Sequence, residues 1–197
     1  MNNTIKIIYE RRAVRKYKAR KVDRDIIEEI LDAGRMAPSA HDKQPWRFYV
    51  LTDPEDIHSF SKAIRTGVVK GVLKMGIKRI VKLAFSVLHF PGSSDLAKAH
   101  DMIFYGSPVV IFITSARDNE WAELDVGMCA QNMMLAAKSL GLDTCPVGSA
   151  KYVEETGLFS KLNVPNNEKV DLAIALGYGD ETPAVHERIK NNLIYID

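Results

Sequence analysis

A single globular domain in which helices pack on a central sheet is what this sequence predicts, and three observations carry that prediction. With 197 residues, 46% hydrophobic and 26% charged, the chain is long enough to bury roughly 70% of its unfolded surface around one core. Residues 108–114, Pro-Val-Val-Ile-Phe-Ile-Thr, are a continuous apolar run of the kind found in a strand covered on both faces, and they mark the central strand. Residues 121–140 place Leu124, Met128, Cys129, Met133, Leu135, Ala136 and Leu140 on a wide apolar surface, with Gly141 positioned to end the helix. That breadth marks a core helix. A methionine-rich stripe at this spacing reads as packing, not as a cofactor box.

The other elements follow in order. Asn3 can cap a short helix whose Ile5, Ile8 and Tyr9 share a face. Asp23, with Asp25 in the first turn, opens a second helix carrying Ile26, Ile27, Ile30, Leu31 and Gly34 at helical spacing, the glycine allowing a close neighbour. Residues 46–52 are aromatic and β-branched and read as a strand; Asp53-Pro54 then caps a helix through about Ile64. Residues 143–147 form a short strand broken by Pro146, and residues 170–176 the last clear strand, stopped by Gly177-Tyr178-Gly179. The chain shows no internal repeat or low-complexity tract.

Charge and cysteine content exclude several classes. Lys plus Arg is 27 against 25 for Asp plus Glu, a net charge of +2, so there is no bulk argument for nucleic acid or an acidic partner. The 2 cysteines, Cys129 and Cys145, form no C-x-x-C, and histidines show no paired spacing, which supports neither a disulfide framework nor a zinc site. Reduced thiols, a first segment without a signal-peptide core and the lack of any run of about 18 uncharged apolar residues lead us to expect a cytoplasmic protein. The charge is uneven. Residues 67–88 hold Lys70, Lys74, Lys78, Arg79 and Lys82 and no acid. Lys70, Lys74, Lys78 and Lys82 fall four apart, a basic amphipathic insertion at about 67–100 that Gly71 and Gly76 weaken as a helix. Too weak to stand without packing partners, it would lie over a binding site as a mobile cover. Alternatively the protein is a non-enzymatic module that binds a membrane surface or acidic partner through residues 67–90.

Two stretches carry candidate chemistry. Residues 37–46, Ala-Pro-Ser-Ala-His-Asp-Lys-Gln-Pro-Trp, join a helix that stops at Pro38 to a strand that starts after Pro45, giving a short polar loop pinned at both ends. Earlier, residues 11–17 gather Arg11, Arg12, Arg15 and Lys16. Extended, this piece points Arg11, Ala13, Arg15 and Tyr17 one way and Arg12, Val14 and Lys16 the other; helical, it still aligns Arg11 with Arg15. Either geometry pairs two guanidinium groups, which suits a phosphate because each fork donates two parallel charge-assisted hydrogen bonds.

These pieces resemble the flavin-dependent nitroreductase family. The likeness rests on Arg11, Arg12 and Arg15; on the Ala-Pro-Ser loop with Gln44-Pro45-Trp46; on Gln131-Asn132 to Gly141 with Cys145-Pro146-Val147-Gly148; and on Gly177-Tyr178 before a basic tail. They occur in family order across almost the entire chain. The resemblance implies an α+β fold over residues 1–197, with a mixed, mostly antiparallel sheet wrapped by helices, and an intertwined homodimer with FMN at each of two shared sites. It implies that Arg11, Arg15 and the tail's Arg188 or Lys190 hold the FMN phosphate and ribityl chain, with Arg12 at the ring's pyrimidine end. Pro38, Ser39, Ala40 and Asp42 would reach the flavin from the neighbouring subunit, with Gln44 in support. Pro146 and the backbone at Val147, Gly148 and Ser149 would sit beside the flavin N5.

The flavin then carries the redox chemistry, with NADH or NADPH as donor and a nitroaromatic, quinone or enone as acceptor in ping-pong turnover, and no side-chain nucleophile or metal is needed. Flavin fragmentation and reductive dehalogenation are sibling chemistries of the family. Two positions depart from its pattern: Ala13 stands where Ser is frequent, and Asp42 where Asn is usual, placing an acceptor where an amide donor is expected.

Overall fold

A computed structural model describes residues 2–74 and 101–196. Its described strands form one four-stranded sheet in the order β1-β2-β4-β3, with β1 Arg47–Leu51, β2 Val109–Ala116, β3 Asp143–Val147 and β4 Glu168–Gly177. All three ladders are antiparallel. The helices are α1 Asn3–Glu10, α2 Arg24–Arg35, α3 Pro54–Lys74 and α4 Ala122–Ser139. Short 3-10 stretches occupy Ala40–Asp42, Gly148–Glu155 and Phe159–Leu162.

The apolar run at the centre of the sequence is strand β2, paired on both sides and buried from Val109 to Ser115. Strand alternation sends Ile111 and Ile113 to one face, where Ile27, Ile30 and Leu31 of α2 and Cys129 and Met133 of α4 cover them. Val110 and Phe112 go to the other, under Ile57, Phe60 and Ile64 of α3 and Ala150 and Val153 of the 148–155 stretch. After Ile113 a bulge shifts the register and the apolar residues end. There Thr114 donates to Glu168 at 2.7 Å, and Arg47 pairs with the same carboxylate at 3.1 Å.

Helices α2 and α4 pack closely because of Gly34: a Cβ there would lie 2.6 Å from Met133 Cγ and 3.2 Å from Cys129 Sγ. Asp53 caps α3 as expected, accepting from Glu55 N at 2.9 Å and Asp56 N at 3.0 Å. Gly141, at φ +77, follows α4 in the left-handed region.

Four local expectations are corrected. The cap of α1 is Asn2, whose side chain accepts from Thr4 N at 2.8 Å, and α1 buries none of its residues. Asp23 precedes α2 without a side-chain capping bond. Helix α3 does not stop near Ile64 but runs through Gly67, where a Cβ would come 3.1 Å from Tyr152 O, so this glycine serves close packing. Pro146 does not break its strand: β3 runs through it, paired with Ile174. Thr144 O accepts from Val14 N on the outer side of β3, and Pro146, two residues on, turns its nitrogen to that same side, away from β4. The part of the basic insertion at 75–100, with Lys78, Arg79 and Lys82, lies outside the described residues. No described helix is long and apolar enough to cross a membrane.

Candidate functional site

The arginine cluster is extended and docked on the outer edge of β3. Arg11 closes α1, its N–H reaching Ile7 O at 2.9 Å, and the chain then forms a parallel bridge from Ala13 to Thr144. Val14 is buried there, and the Tyr17 hydroxyl lies 2.8 Å from Val14 O and 3.2 Å from Ala175 O. Beyond β4 the chain returns along the same segment, with Lys18 N on Tyr178 O and Asp180 N on Lys16 O, both 2.8 Å. Gly177 makes room for this crossing: a Cβ there would meet Pro108 Cδ at 2.5 Å and Tyr17 Cδ1 at 3.1 Å.

The alternation expected of an extended piece holds only in part: Val14 is 1% exposed where the segment docks on β3, and Arg12 Nε is buried, although both were expected to share a face with Lys16. Lys16 faces solvent and pairs with exposed Asp180 at 3.1 Å. Arg15 lies instead over the Tyr105 ring, 5.9 Å from its centroid, and its backbone N–H donates to Glu181. Arg11 turns inward, where burial, then the charges of Arg12 and Arg188, holds its guanidinium below the usual arginine value. Arg188 and Lys190 are both exposed, and the charge of Arg188 acts on Arg11. Two buried donors, Arg11 Nη1 and Arg12 Nε, find no acceptor among the described residues. Gathered cations with the Arg11 N–H unsatisfied suit an anion, and the Arg12 N–H suits a further acceptor on the same ligand. The cluster therefore fits the single phosphate of FMN.

The end of β3 lies beside these cations. Burial pushes the Cys145 thiol up to about 11, with Arg15 and Arg11 pulling it back only in part, so it stays protonated at neutral pH. Cys129, buried under α2, is pushed up to about 12. Pro146 is exposed, Val147 buried, Gly148 exposed and Ser149 half-buried. A Cβ on Gly148 would meet nothing within 4 Å. The protomer's own packing does not require this glycine, which leaves open space at the end of β3. We expect Gly148→Val to leave the urea midpoint of the FMN-free protein within about 0.5 kcal/mol of wild type, while weakening FMN in a fluorescence titration. Equal FMN affinity would remove Gly148 from the site.

The 37–46 loop stands on other elements. Ala37 and Trp46 are buried and pin its ends. Between them Pro38, Asp42 and Gln44 are exposed, Ser39 and Ala40 half-buried. Ser39 Oγ accepts from Gln44 N, and Asp42 Oδ1 accepts from Gln44 Nε2, each at 3.0 Å. The acceptor at Asp42 is thus used within its own loop, and Gln44 acts as its support. Ala40 N donates to both carboxylate oxygens of Asp125, at 3.2 and 3.3 Å.

Sequence reasoning missed Tyr105 and Asp125. Tyr105 sits at φ 60 in a turn built by Asp101, whose carboxylate accepts from Ile103, Phe104 and Gly106 N and from the Ser61 hydroxyl. No local pattern connects it with Arg15. Asp125 did carry a signal: it is an acid on the stripe Ala122, Val126, Cys129 and Met133, all buried. Among the described residues, cavities elsewhere include one of about 500 Å³ beside Lys21, Ile27 and Val50 and one of about 380 Å³ beside Pro38, Met128 and Asn132. Neither is lined by the arginine cluster. Among the described residues no group of His, Cys, Asp or Glu could hold a metal ion.

Comparison with known proteins adds three findings. The model of the nitroreductase family matches residues 8–178. A chloronitrobenzene nitroreductase from Comamonas testosteroni is 29% identical, over 92% of this chain and 88% of that protein. Crystal structures of nitroreductases with bound FMN superpose on it: one from Bacteroides fragilis NCTC 9343 has a TM-score of 0.77 at 25% identity, covering 100% of this chain and 99% of the other. Another, from Desulfitobacterium hafniense DCB-2, has a TM-score of 0.81 at 24% identity with 100% of both chains covered.

Proposed function

Since this chain belongs to the nitroreductase family, we propose that it is an FMN-dependent oxidoreductase that draws electrons from NADH or NADPH and reduces a nitroaromatic, quinone or enone acceptor in ping-pong turnover. The observation that carries the cofactor is the pair of buried, unpartnered donors on Arg11 and Arg12, with the charge of Arg188 acting on Arg11 and that of Arg15 on the neighbouring Cys145. The name of the Comamonas relative and the FMN in the Bacteroides structure support the same reading.

FMN, when bound, supplies the chemistry by accepting a hydride from the nicotinamide and passing two electrons to the acceptor. The chain's residues bind and orient. Arg11, Arg15 and Arg188 or Lys190 would hold the phosphate and ribityl chain through charge-assisted hydrogen bonds, and Arg12 would serve the ring's pyrimidine end. Gly148 keeps the space beside the ring clear, flanked by the backbone of Val147 and Ser149. Cys145, protonated beneath the cluster, contributes packing and no nucleophile.

The reading includes a homodimer whose two sites each take Pro38, Ser39, Ala40 and Asp42 from the other copy. The protomer supports this by what it leaves bare. Met36 and Leu124 are 79% and 59% exposed, and the apolar side of α1 is uncovered. The tail, without helix or strand after Asp180, exposes Ile189, Leu193, Ile194, Tyr195 and Ile196. Apolar exposure of this extent supports an interface with a second copy. Sedimentation is expected to give a dimer at working concentrations, and a stable FMN-loaded monomer would contradict the shared site.

The test of the cofactor is direct. The purified protein is expected to be yellow, and mass spectrometry of the heat-released cofactor to give FMN and not FAD, because these cations are placed to hold one phosphate. FAD alone, or no flavin after soaking with FMN, would overturn the reading.

A further inference from the structure

The 39–44 loop is strained. His41, Asp42 and Gln44 have φ of 55, 52 and 43, a left-handed backbone that is costly for a residue other than glycine and persists only where the surroundings impose it. Most of what imposes it is local. Asp42 N reaches Ser39 O at 3.1 Å, Lys43 N reaches Ala40 O at 3.2 Å, and Gln44 bonds to Ser39 Oγ and Asp42 Oδ1. These bonds give the loop its shape but do not attach it to the protein. Among the described residues one hydrogen-bonded group does so: Ala40 N–H, shared between the two oxygens of Asp125.

Asp125 is 1% exposed. A buried carboxylate is costly unless donors meet it. Its place in the first turn of α4 favours the negative charge, and Ala40 N–H completes the arrangement from the loop side. The side chain is rigidly placed by α4, which packs on α2 and the sheet. Between the ends pinned by Ala37 and Trp46, the loop therefore takes its one further fixed point from the core helix, through the Asp125 side chain.

We propose that Asp125 is a positioning residue that fixes the 39–44 loop and thereby governs retention of FMN in the site this loop completes; the second half rests on the cofactor reading above. Released from Asp125, the strained loop spreads over other conformers, and the apparent affinity falls in proportion to the fraction left competent.

The experiment compares Asp125→Ala, Asp125→Asn and Val126→Ala in the full-length FMN-loaded protein. It follows FMN release on dilution by flavin fluorescence, and trypsin cleavage after Lys43 by mass spectrometry. Val126, buried on the same turn, controls for loss of stability alone. Asp125→Ala is expected to weaken FMN at least about tenfold, a loop competent one time in ten, and to speed cleavage after Lys43. Asp125→Asn, which keeps an oxygen for Ala40 N–H, is expected to restore both. Ala40→Pro removes the donor from the loop side and leaves α4 untouched; Ser39, at φ −141 and ψ 153, already has a backbone that can precede proline. It is expected to speed the same cleavage, which keeps the test decisive if Asp125→Ala does not fold.

If Asp125→Ala behaves like Val126→Ala in both measurements, or Asn restores nothing, the proposal is wrong. A wild-type protein that takes up no FMN overturns the cofactor reading and the flavin half of the proposal with it. Cleavage after Lys43 needs no flavin and then decides whether Asp125 anchors the loop.

Discussion

Replacing Arg11 and Arg15 together by alanine is expected to lower FMN affinity at least about a hundredfold. Each guanidinium would donate charge-assisted hydrogen bonds worth about 1.5–3 kcal/mol, and every 1.4 kcal/mol is about tenfold in affinity. The FMN-free protein should respond with the opposite sign. Burial and the neighbouring charges of Arg12 and Arg188 disfavour the charged Arg11, so its removal relieves repulsion that only a bound anion offsets. A fall in FMN affinity with unchanged or higher stability of the FMN-free protein separates a binding role from a structural one, which would lower both. Lys16→Ala is the control. Lys16 is exposed and its pair with Asp180 is a surface contact worth at most about 1 kcal/mol, so FMN titration should barely register its loss. Equal effects of Lys16→Ala and Arg15→Ala would refute the assignment of faces along residues 11–17.

Phe112→Ala is expected to destabilise the protein by about 3–5 kcal/mol, a large fraction of the roughly 5–15 kcal/mol that holds a domain together. Phe112 is fully buried in the central strand. Its ring meets Phe60 of α3 at 5.8 Å with a 54° tilt, and Phe104 edge-on at 5.8 Å and 86°. Truncation leaves a cavity that β2, held between two strands, cannot close. The consequence should reach the candidate site. Phe104 precedes Tyr105, which lies against Arg15, and the Asp101 turn that holds both is fastened to α3 through Ser61. Urea unfolding measures the stability. A cost below about 1 kcal/mol would mean that this aromatic trio is not packed as described.

The extent of what could be read from the sequence follows from the range of each interaction. The apolar run at 108–114 announced a strand covered on both faces, because such a run cannot turn one side to water. The stripes of α2 and α4, the Asp53 cap and the break at Gly141 were equally legible, since each depends on residues within one or two turns. That cations gather at residues 11–17 was legible too, because it is a property of the sequence itself.

Partners distant in the chain were decided elsewhere. Pro146 stays inside a strand because β3 is outermost and turns that nitrogen away from β4, and Gly67 stays inside a helix because Tyr152 crosses there. Tyr105 meets Arg15, and Ala40 meets Asp125, across 90 and 85 intervening steps of chain. By itself the sequence determined which side of each element is apolar and where cations gather, through forces that act along a few residues. Which of those sides met, and which buried donors were left for an anion, was decided only by the tertiary structure, because strand order and helix docking are settled by the packing of the entire core.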